Sequence, residues 1–236
     1  MNKVGFEKIV KQYTELKIDI EFEKEIKSGK EGVVYKVLIS KIQAAALKIY
    51  FPSEQTSFNR YYDYIEGAKF GTFYKRALKS KNRVGRQFLE KTRTTREFNM
   101  LKKFYEKGVS IPRPLAFTDD TILMDFLGEK EPAPRLVDIK ITKDLAQIFF
   151  DEIINSVETM VKCGVVHGDL SPYNILIWQN KTYIIDFPQA VDIRTNPNYS
   201  EFLRRDLNNI VKFFQKYIEI NEDPILTRFA KYLGLE

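Results

Sequence analysis

The chain has 236 residues, 44% hydrophobic and 30% charged, with a formal net charge of +6. That length can bury one large core or two smaller ones, in the balance of a globular protein. One cysteine, Cys163, excludes a disulfide framework and a thiolate metal site; no apolar run nears the roughly 18 residues of a spanning helix, no secretory signal is visible, and the expected location is the cytoplasm.

Residues 3–20 read as a leading helix or irregular segment anchored by Phe6, Ile9, Val10 and Leu16. Residues 22–27 alternate. SGKEGVVYKVLI follows, with Val33, Tyr35 and Val37 on one side and Val34, Lys36 and Leu38 on the other, the period of a strand. QAAALKIY at 43–50 forms a hairpin with it, although its alanines favour helix. Residues 51–90 are polar, aromatic and basic without a clean period. Within 91–107, Thr94, Phe98, Leu101 and Tyr105 recur at helical spacing, and Gly108 can close the helix. Residues 111–114 make a rigid extended connection. Short strands at 115–117 and 121–126 turn at Asp119-Asp120, and EKEPAPRLVD reads as a linker. This predicts two lobes. Residues 1–127 are strand-rich, with one main helix and a basic insert; residues 128–236 are mainly helical.

The longest helix is expected over 142–162, with Leu145, Ile148, Phe149, Ile153, Val157, Met160 and Val161 on its apolar face. Thr142 or Lys143-Asp144 starts it and Gly164 stops it. Gly164–Val166 and Tyr183–Ile185 are strand material. Residues 200–216 are helical with Phe202, Leu203, Leu207, Ile210 and Phe214 inward. Asp223 caps a last short helix with Pro224 in its first turn.

The chemistry concentrates in VVHGDLSPYNILIWQNKTYIIDFPQ, 165–189. Asn174 follows Asp169 by five residues and Asp186 follows Asn174 by twelve, enough chain for a loop, a strand pair and a return. Such oxygen donors suit one Mg²⁺-nucleotide, with Asp169 orienting or deprotonating a hydroxyl or water and Asn174 and Asp186 on the metal. Asp and Asn also populate ordinary turns. His167, the only histidine, reads as a structural hydrogen-bonding residue, Cys163 as core, and Tyr173 and Trp178 as packing residues. Ser28-Gly29-Lys30-Glu31-Gly32 can turn its backbone N–H groups to phosphates, and a plain hairpin turn accounts for it equally well. Lys48 sits in an apolar run and needs a partner if it points inward. Glu97 is the candidate, and the pair would hold phosphates. The backbone around Met124 and Phe126 can hydrogen-bond adenine, with Met124 lining the pocket; the bland reading is a connector.

Residues 69–103 carry twelve Lys or Arg against Glu90 and Glu97. Such a field attracts polyanions. RNA or ribonucleoprotein contact and a merely solvated insert are the two readings.

The ordered set is a glycine-containing turn, Lys48, Glu97, a hinge, H-G-D-L-S-x-x-N at 167–174 and I-D-F-P-Q at 185–189. It resembles the RIO family of atypical serine/threonine protein kinases over roughly residues 22–216. The most specific pieces are S-G-K-E-G-V-V-Y, V-H-G-D-L-S-P-Y-N-I-L, I-I-D-F-P-Q and F-L-R-R-D. The resemblance implies an α+β, two-lobed protein-kinase-like fold with a truncated C-terminal lobe lacking the activation loop and peptide-binding helices. It implies Asp169 as catalytic-loop aspartate, Asn174 and Asp186 as metal ligands, and Lys48 and Glu97 as the phosphate-positioning pair. Ser28, Gly29, Lys30 and Glu31 form the nucleotide loop. The implied cofactors are ATP and Mg²⁺, with Mn²⁺ as an alternative metal. Phe187-Pro188-Gln189 departs from the usual D-F-G. The S-G-K-E turn is closer to the first subfamily, in its compact archaeal form, and D-F-P-Q to the second, while the N-terminus starts too near the core for the second subfamily's winged helix. Family members phosphorylate serine in themselves or in test proteins, act as ATPases in late maturation of the small ribosomal subunit, and in some cases carry phosphate on the metal-binding aspartate, here Asp186. The implied partners are the pre-small ribosomal subunit and its rRNA through 69–103, and a protein substrate or the chain itself, with no membrane. Two other readings stand beside this one. A choline- or aminoglycoside-type phosphotransferase shares H-G-D-x-x-x-x-N, but only about 38 residues separate Gly128 from His167, little room for its helical insertions. A catalytically silent RNA-binding scaffold would not need Lys48, Asp169, Asn174 and Asp186 together.

Overall fold

The computed structural model describes residues 3–29, 32–51 and 83–235 and, within them, all side chains except those of 3–4 and 83–91. Lys30, Glu31 and most of the basic stretch therefore lie outside the described residues. These group into two compact units, one formed by Met1–Met100 with Arg113–Leu127 and the other by Leu101–Pro112 with Gly128–Glu236.

The first unit is a sheet with two dissimilar faces. Its strands are β1 (Ile20–Ser28), β2 (Gly32–Ile39), β3 (Gln43–Tyr50), β4 (Pro114–Phe117) and β5 (Thr121–Asp125), antiparallel in the order β1-β2-β3-β5-β4. Alternation sends Val33, Tyr35, Val37, Ala45, Leu47, Ile49 and Leu123 to one face. Helix α1 (Lys3–Glu15) covers that face with Ile9 and Tyr13. Each such side chain contributes about 1.5–3 kcal/mol on burial. The phenol of Tyr13 shares a hydrogen bond with Thr121 Oγ1 at 2.8 Å, and burial pushes its pKa above the ordinary value. Leu16, expected as an anchor, is 49% exposed, because the helix ends at Glu15 and Tyr13 takes the inward position. Cross-strand partners on the opposite face are Val34 with Lys48, Lys36 with Ala46, Ala46 with Met124, and Lys48 with Ile122.

Helix α2 (Arg83–Glu106) begins earlier than the periodicity predicts. Phe104 is fully buried and Tyr105 is 47% exposed, so the inward register runs through Thr94, Glu97, Leu101 and Phe104. Gly108, at φ +78°, allows the chain to leave the helix.

The second unit is organised by α3 (Lys143–Lys162), whose N-cap Thr142 accepts from Leu145 N–H at 3.4 Å. Phe149, Phe150, Ile153, Ile154, Val157, Met160 and Val161 are buried along it, whereas Ile148 is half exposed. Helix α4 (Tyr199–Phe214) packs on it, with Phe150 and Phe214 at 5.5 Å. Helix α5 (Asp223–Leu233) is tied to α3 through Arg228, which donates to Glu158 and, at 2.7 Å, to Asn155. The N-cap of α5 is Glu222 and not Asp223. Two short sheets complete the unit: β6 (Val165–Val166) with β9 (Val191–Asp192), and the hairpin β7 (Ile175–Trp178) with β8 (Lys181–Ile184).

Leu101–Pro112 groups with this second unit, a refinement of the expected 1–127 lobe. Backbone hydrogen bonding is the reason. Ile184 N–H donates to Ser110 C=O at 2.8 Å, Ser110 Oγ donates to Thr182 C=O at 2.5 Å, and Lys103 Nζ caps Cys163 C=O at 2.8 Å. Glu152 accepts from both Thr182 N–H and Oγ1 at 2.9 Å. Among the described residues no helix is long and apolar enough to cross a membrane.

Gly32 sits flush against β3. A Cβ built there would lie 2.2 Å from Ile49 O. Gly32→Ala must prise β2 from β3, and we expect a loss of about 1–3 kcal/mol in denaturant-measured stability; an unchanged denaturation midpoint would refute this close approach.

Candidate active site

In the first unit the chemistry starts from a strand lysine. Lys48 shares its face with Ala46 and Tyr50, away from the α1 cluster. Its Nζ donates to Glu97 Oε1 at 3.0 Å, and the side chains are 14% and 7% exposed. A charge this buried is tolerated because it is paired. Lys48 Nζ also lies 4.9 Å from the Tyr50 ring. Met124 is on the same face, two residues beyond Ile122, and Phe126 carries Lys36 over its ring at 4.9 Å. Ser28 ends β1, and Gly29 N–H closes a turn on Gly32 C=O at 2.9 Å. This bond joins the two glycines across the β1–β2 connection, while Lys30 and Glu31 lie outside the described residues.

In the second unit the loop after β6 is held almost wholly by side chains. Gly168 has φ +79°, and a Cβ there would meet Gln189 O at 2.4 Å. Gly168 N–H donates to Asp206 Oδ2 at 2.8 Å and Leu170 N–H to Asp206 Oδ1 at 2.9 Å. Arg205 donates to Gly168 C=O, and Asn209 Nδ2 to Leu170 C=O at 3.0 Å. Asp169 N–H donates to His167 Nδ1 at 3.3 Å, and Asp169 C=O accepts from Asn174 Nδ2 at 2.9 Å. Every backbone N–H and C=O from Gly168 to Leu170 therefore has a side-chain partner, as buried backbone requires. The Asp169 side chain is left exposed between two clamped neighbours.

His167 is 1% exposed. Since Nδ1 accepts from an N–H, Nε2 carries the proton and donates to Ile185 C=O at 3.1 Å. The ring thereby connects the loop to the segment that ends in Asp186. Ile185 N–H donates to Asn174 C=O at 2.9 Å, so Asn174 and Asp186 are brought together by backbone pairing. Asp186 is half-buried, at φ +71°, a region that costs a non-glycine residue energy. Phe187 follows it inward, 4.8 Å from His167 and 5.6 Å from Phe104 between ring centroids. Tyr173, read from sequence as packing, is 55% exposed with Arg135 over its ring at 5.4 Å. Cys163, expected in the core, is only partly buried at the end of α3.

With Nδ2 committed to Asp169 C=O, Asn174 keeps Oδ1 as an acceptor. One carboxylate and one carboxamide oxygen fit Mg²⁺, which takes few protein ligands and completes its shell with phosphate and water oxygens. Among the described residues no three His, Cys, Asp or Glu side chains gather into a metal cage.

Sequence reasoning missed Arg205, Asp206 and Asn209 as site residues. A signal was present: Asp206 interrupts the apolar face Leu203, Leu207, Ile210 of α4 at inward spacing. Burial raises the Asp206 carboxyl from 3.8 to about 6, against the lowering effect of the two amide N–H groups and Arg205. A raised native pKa means that the folded state binds the proton more tightly, so this residue's contribution to stability is complete below about pH 4 and is lost as pH rises through about 6. That loss is about 3 kcal/mol. Glu158, held low by Arg228 and Lys162, acts in the opposite direction as pH falls. The wild-type minus Asp206→Asn difference in unfolding free energy between pH 4 and 6.5 isolates Asp206, and we expect the wild type to lose more over that range. Parallel profiles would contradict the assignment.

Comparison with known proteins identifies the family. A family model described as the RIO domain matches residues 33–224. RIO-type serine/threonine-protein kinase Rio1 of Thermoplasma acidophilum is 36% identical over 148 residues, covering 62% of this chain and 76% of that protein. Rio2 of Methanocaldococcus jannaschii is 32% identical, covering 83% and 68% respectively. The chain spans 62% of the length of Rio1 of Haloferax volcanii, at 31% identity. Among solved structures, the Rio2 kinase of Chaetomium thermophilum in an ADP/Mg²⁺-phosphoaspartate complex shares the fold, with a TM-score of 0.68 at 22% identity, covering 100% of this chain and 68% of that one. The chain belongs to the RIO family of serine/threonine-protein kinases.

Proposed function

We propose that this chain transfers the γ-phosphoryl group of ATP, with Mg²⁺, to a serine or threonine of a protein or of itself, or to water, and that it does so in maturation of the small ribosomal subunit. The observation that carries the reading is the hydrogen-bond network that ties together the segments bearing Asp169, Asn174 and Asp186, through His167 and Ile185. Asp169, exposed between two clamped amides, accepts the proton of the incoming hydroxyl or water. Asp186 and Asn174 hold the metal, and Mg²⁺ neutralises the phosphate oxygens. Lys48, kept charged and aimed by Glu97, pairs with phosphate oxygens. Ser28, Gly29, Lys30 and Glu31 supply the phosphate-facing turn, and the backbone at Met124 and Phe126 receives adenine. Support for a ribosomal partner is the family resemblance and the basic run 69–103, whose chemistry suits an RNA backbone. Arg93, Arg96, Lys102 and Lys103 are its members with described side chains.

Single-turnover reactions with γ-labelled ATP and Mg²⁺, with and without small ribosomal subunits, separate the outcomes when free and protein-bound phosphate are both followed. We expect subunits to accelerate phosphate release, and Asp169→Ala to slow it by about a hundredfold or more. Asp186→Ala should abolish the metal-dependent reaction; full activity in that variant would sink the site assignment. Indifference to subunits would leave the basic run a solvated insert. Hydroxylamine-labile label mapped to the peptide containing Asp186 in the wild type would put the acceptor on Asp186.

A further inference from the structure

The Lys48–Glu97 pair requires that α2 present Glu97 to β3 and no other residue. Two contacts hold α2 to the far side of the sheet from β3. Thr94 Oγ1 donates to Asp119 C=O at 3.0 Å, and Phe98 stacks on Phe117 at 4.6 Å between centroids. Both bind α2 to β4 and the β4–β5 turn. A third contact reaches β3 itself. The guanidinium carbon of Arg93 lies 4.7 Å from the Tyr50 ring centroid, and the same ring carries Lys48 Nζ at 4.9 Å. Arg93 precedes Glu97 by four residues and so stands one turn away on the same helix face.

Tyr50 is itself buried. It is 7% exposed, its N–H donates to Asp120 C=O at 2.9 Å, and its cross-strand partner is Gly32, whose missing side chain lets the two strands close. A buried ring thus meets one cation from its own strand and one from the helix. A desolvated aromatic face attracts each of them. Losing the Arg93 contact loosens the turn of α2 that carries Glu97 and lets Glu97 shift from Lys48.

We propose that Tyr50 and Arg93 form a latch that sets the rotation of α2 and thereby aims Lys48 at phosphate: both are positioning residues for phosphoryl transfer. The proposal rests on the phosphate-holding role given to Lys48 above. Its distinguishing consequence is selectivity for phosphate over base. A latch that works only through Lys48 affects ATP and leaves adenosine alone, whereas general loosening of the unit weakens both.

The test is calorimetric binding of ATP-Mg²⁺ and of adenosine, with single-turnover phosphoryl transfer, on Arg93→Gln, Arg93→Lys, Tyr50→Leu, Tyr50→Phe and the Arg93→Gln/Tyr50→Leu double variant. Arg93→Gln should lose about tenfold in the transfer rate per ATP bound, with adenosine affinity within about twofold of wild type. Arg93→Lys and Tyr50→Phe, which keep a cation and a ring, should restore most of the rate. The double variant should be no worse than the poorer single one, as expected for one coupled contact. If Tyr50→Leu does not fold, the Arg93 pair decides alone. Unchanged transfer in Arg93→Gln, equal loss of ATP and adenosine, or additive losses in the double variant would each overturn the latch. Lys48→Ala is the control: if it too leaves transfer unchanged, the phosphate-holding role of Lys48 is what has failed.

Discussion

One buried carboxylate organises the loop that carries Asp169. Asp206 takes the N–H groups of Gly168 and Leu170, one on each oxygen, and so fixes the residues on either side of Asp169. Burying an ionised carboxylate is costly, and its raised pKa reports that cost. Two charge-assisted hydrogen bonds, each contributing about 1.5–3 kcal/mol, offset much of it. What the arrangement gains is preorganisation. Asp169 need not be positioned by the substrate, because Arg205, Asp206 and Asn209 on one helix, with His167 and Asn174 beside it, have already satisfied the loop's backbone.

The first unit solves a different problem, that of keeping a lysine charged on a largely buried face. Its sheet divides the labour between its faces. One is closed by α1 through Ile9 and Tyr13, and the other presents Lys48 among Ala46, Val34 and Met124. Glu97 supplies the compensating charge, and the Tyr50 ring lies 4.9 Å from the ammonium. The alanines that weaken the strand propensity of QAAALKIY are therefore consistent with its position: Ala45 fits beneath α1 and Ala46 beside Lys48.

Much of this was legible from residues alone. Period-two alternation located β2 and β3, the broad apolar stripe located α3, and the twelve residues between Asn174 and Asp186 left room for the β7–β8 hairpin. Two kinds of information were not local. Side-chain register on α2 was misread because Tyr105 and Phe104 are adjacent and equally apolar by composition, and only packing decides between them. The inward spacing of Asp206 marked it as buried, but not its partners, which lie 36 and 38 residues away and are backbone amides with no sequence signature. The same holds for Leu101–Pro112, which follows the first unit along the chain but takes its hydrogen bonds from β8 and α3.

If the side-chain clamp is what presents Asp169, amide hydrogen exchange reads it directly. In the wild type the N–H groups of Gly168 and Leu170 should exchange among the slowest in the second unit, although they belong to a loop with no backbone partners. In Asp206→Asn they should exchange much faster while amides inside α3 keep their protection. Equal exchange at Gly168 and Leu170 in the two proteins would contradict the account, since the loop would then be held in place by something other than Asp206.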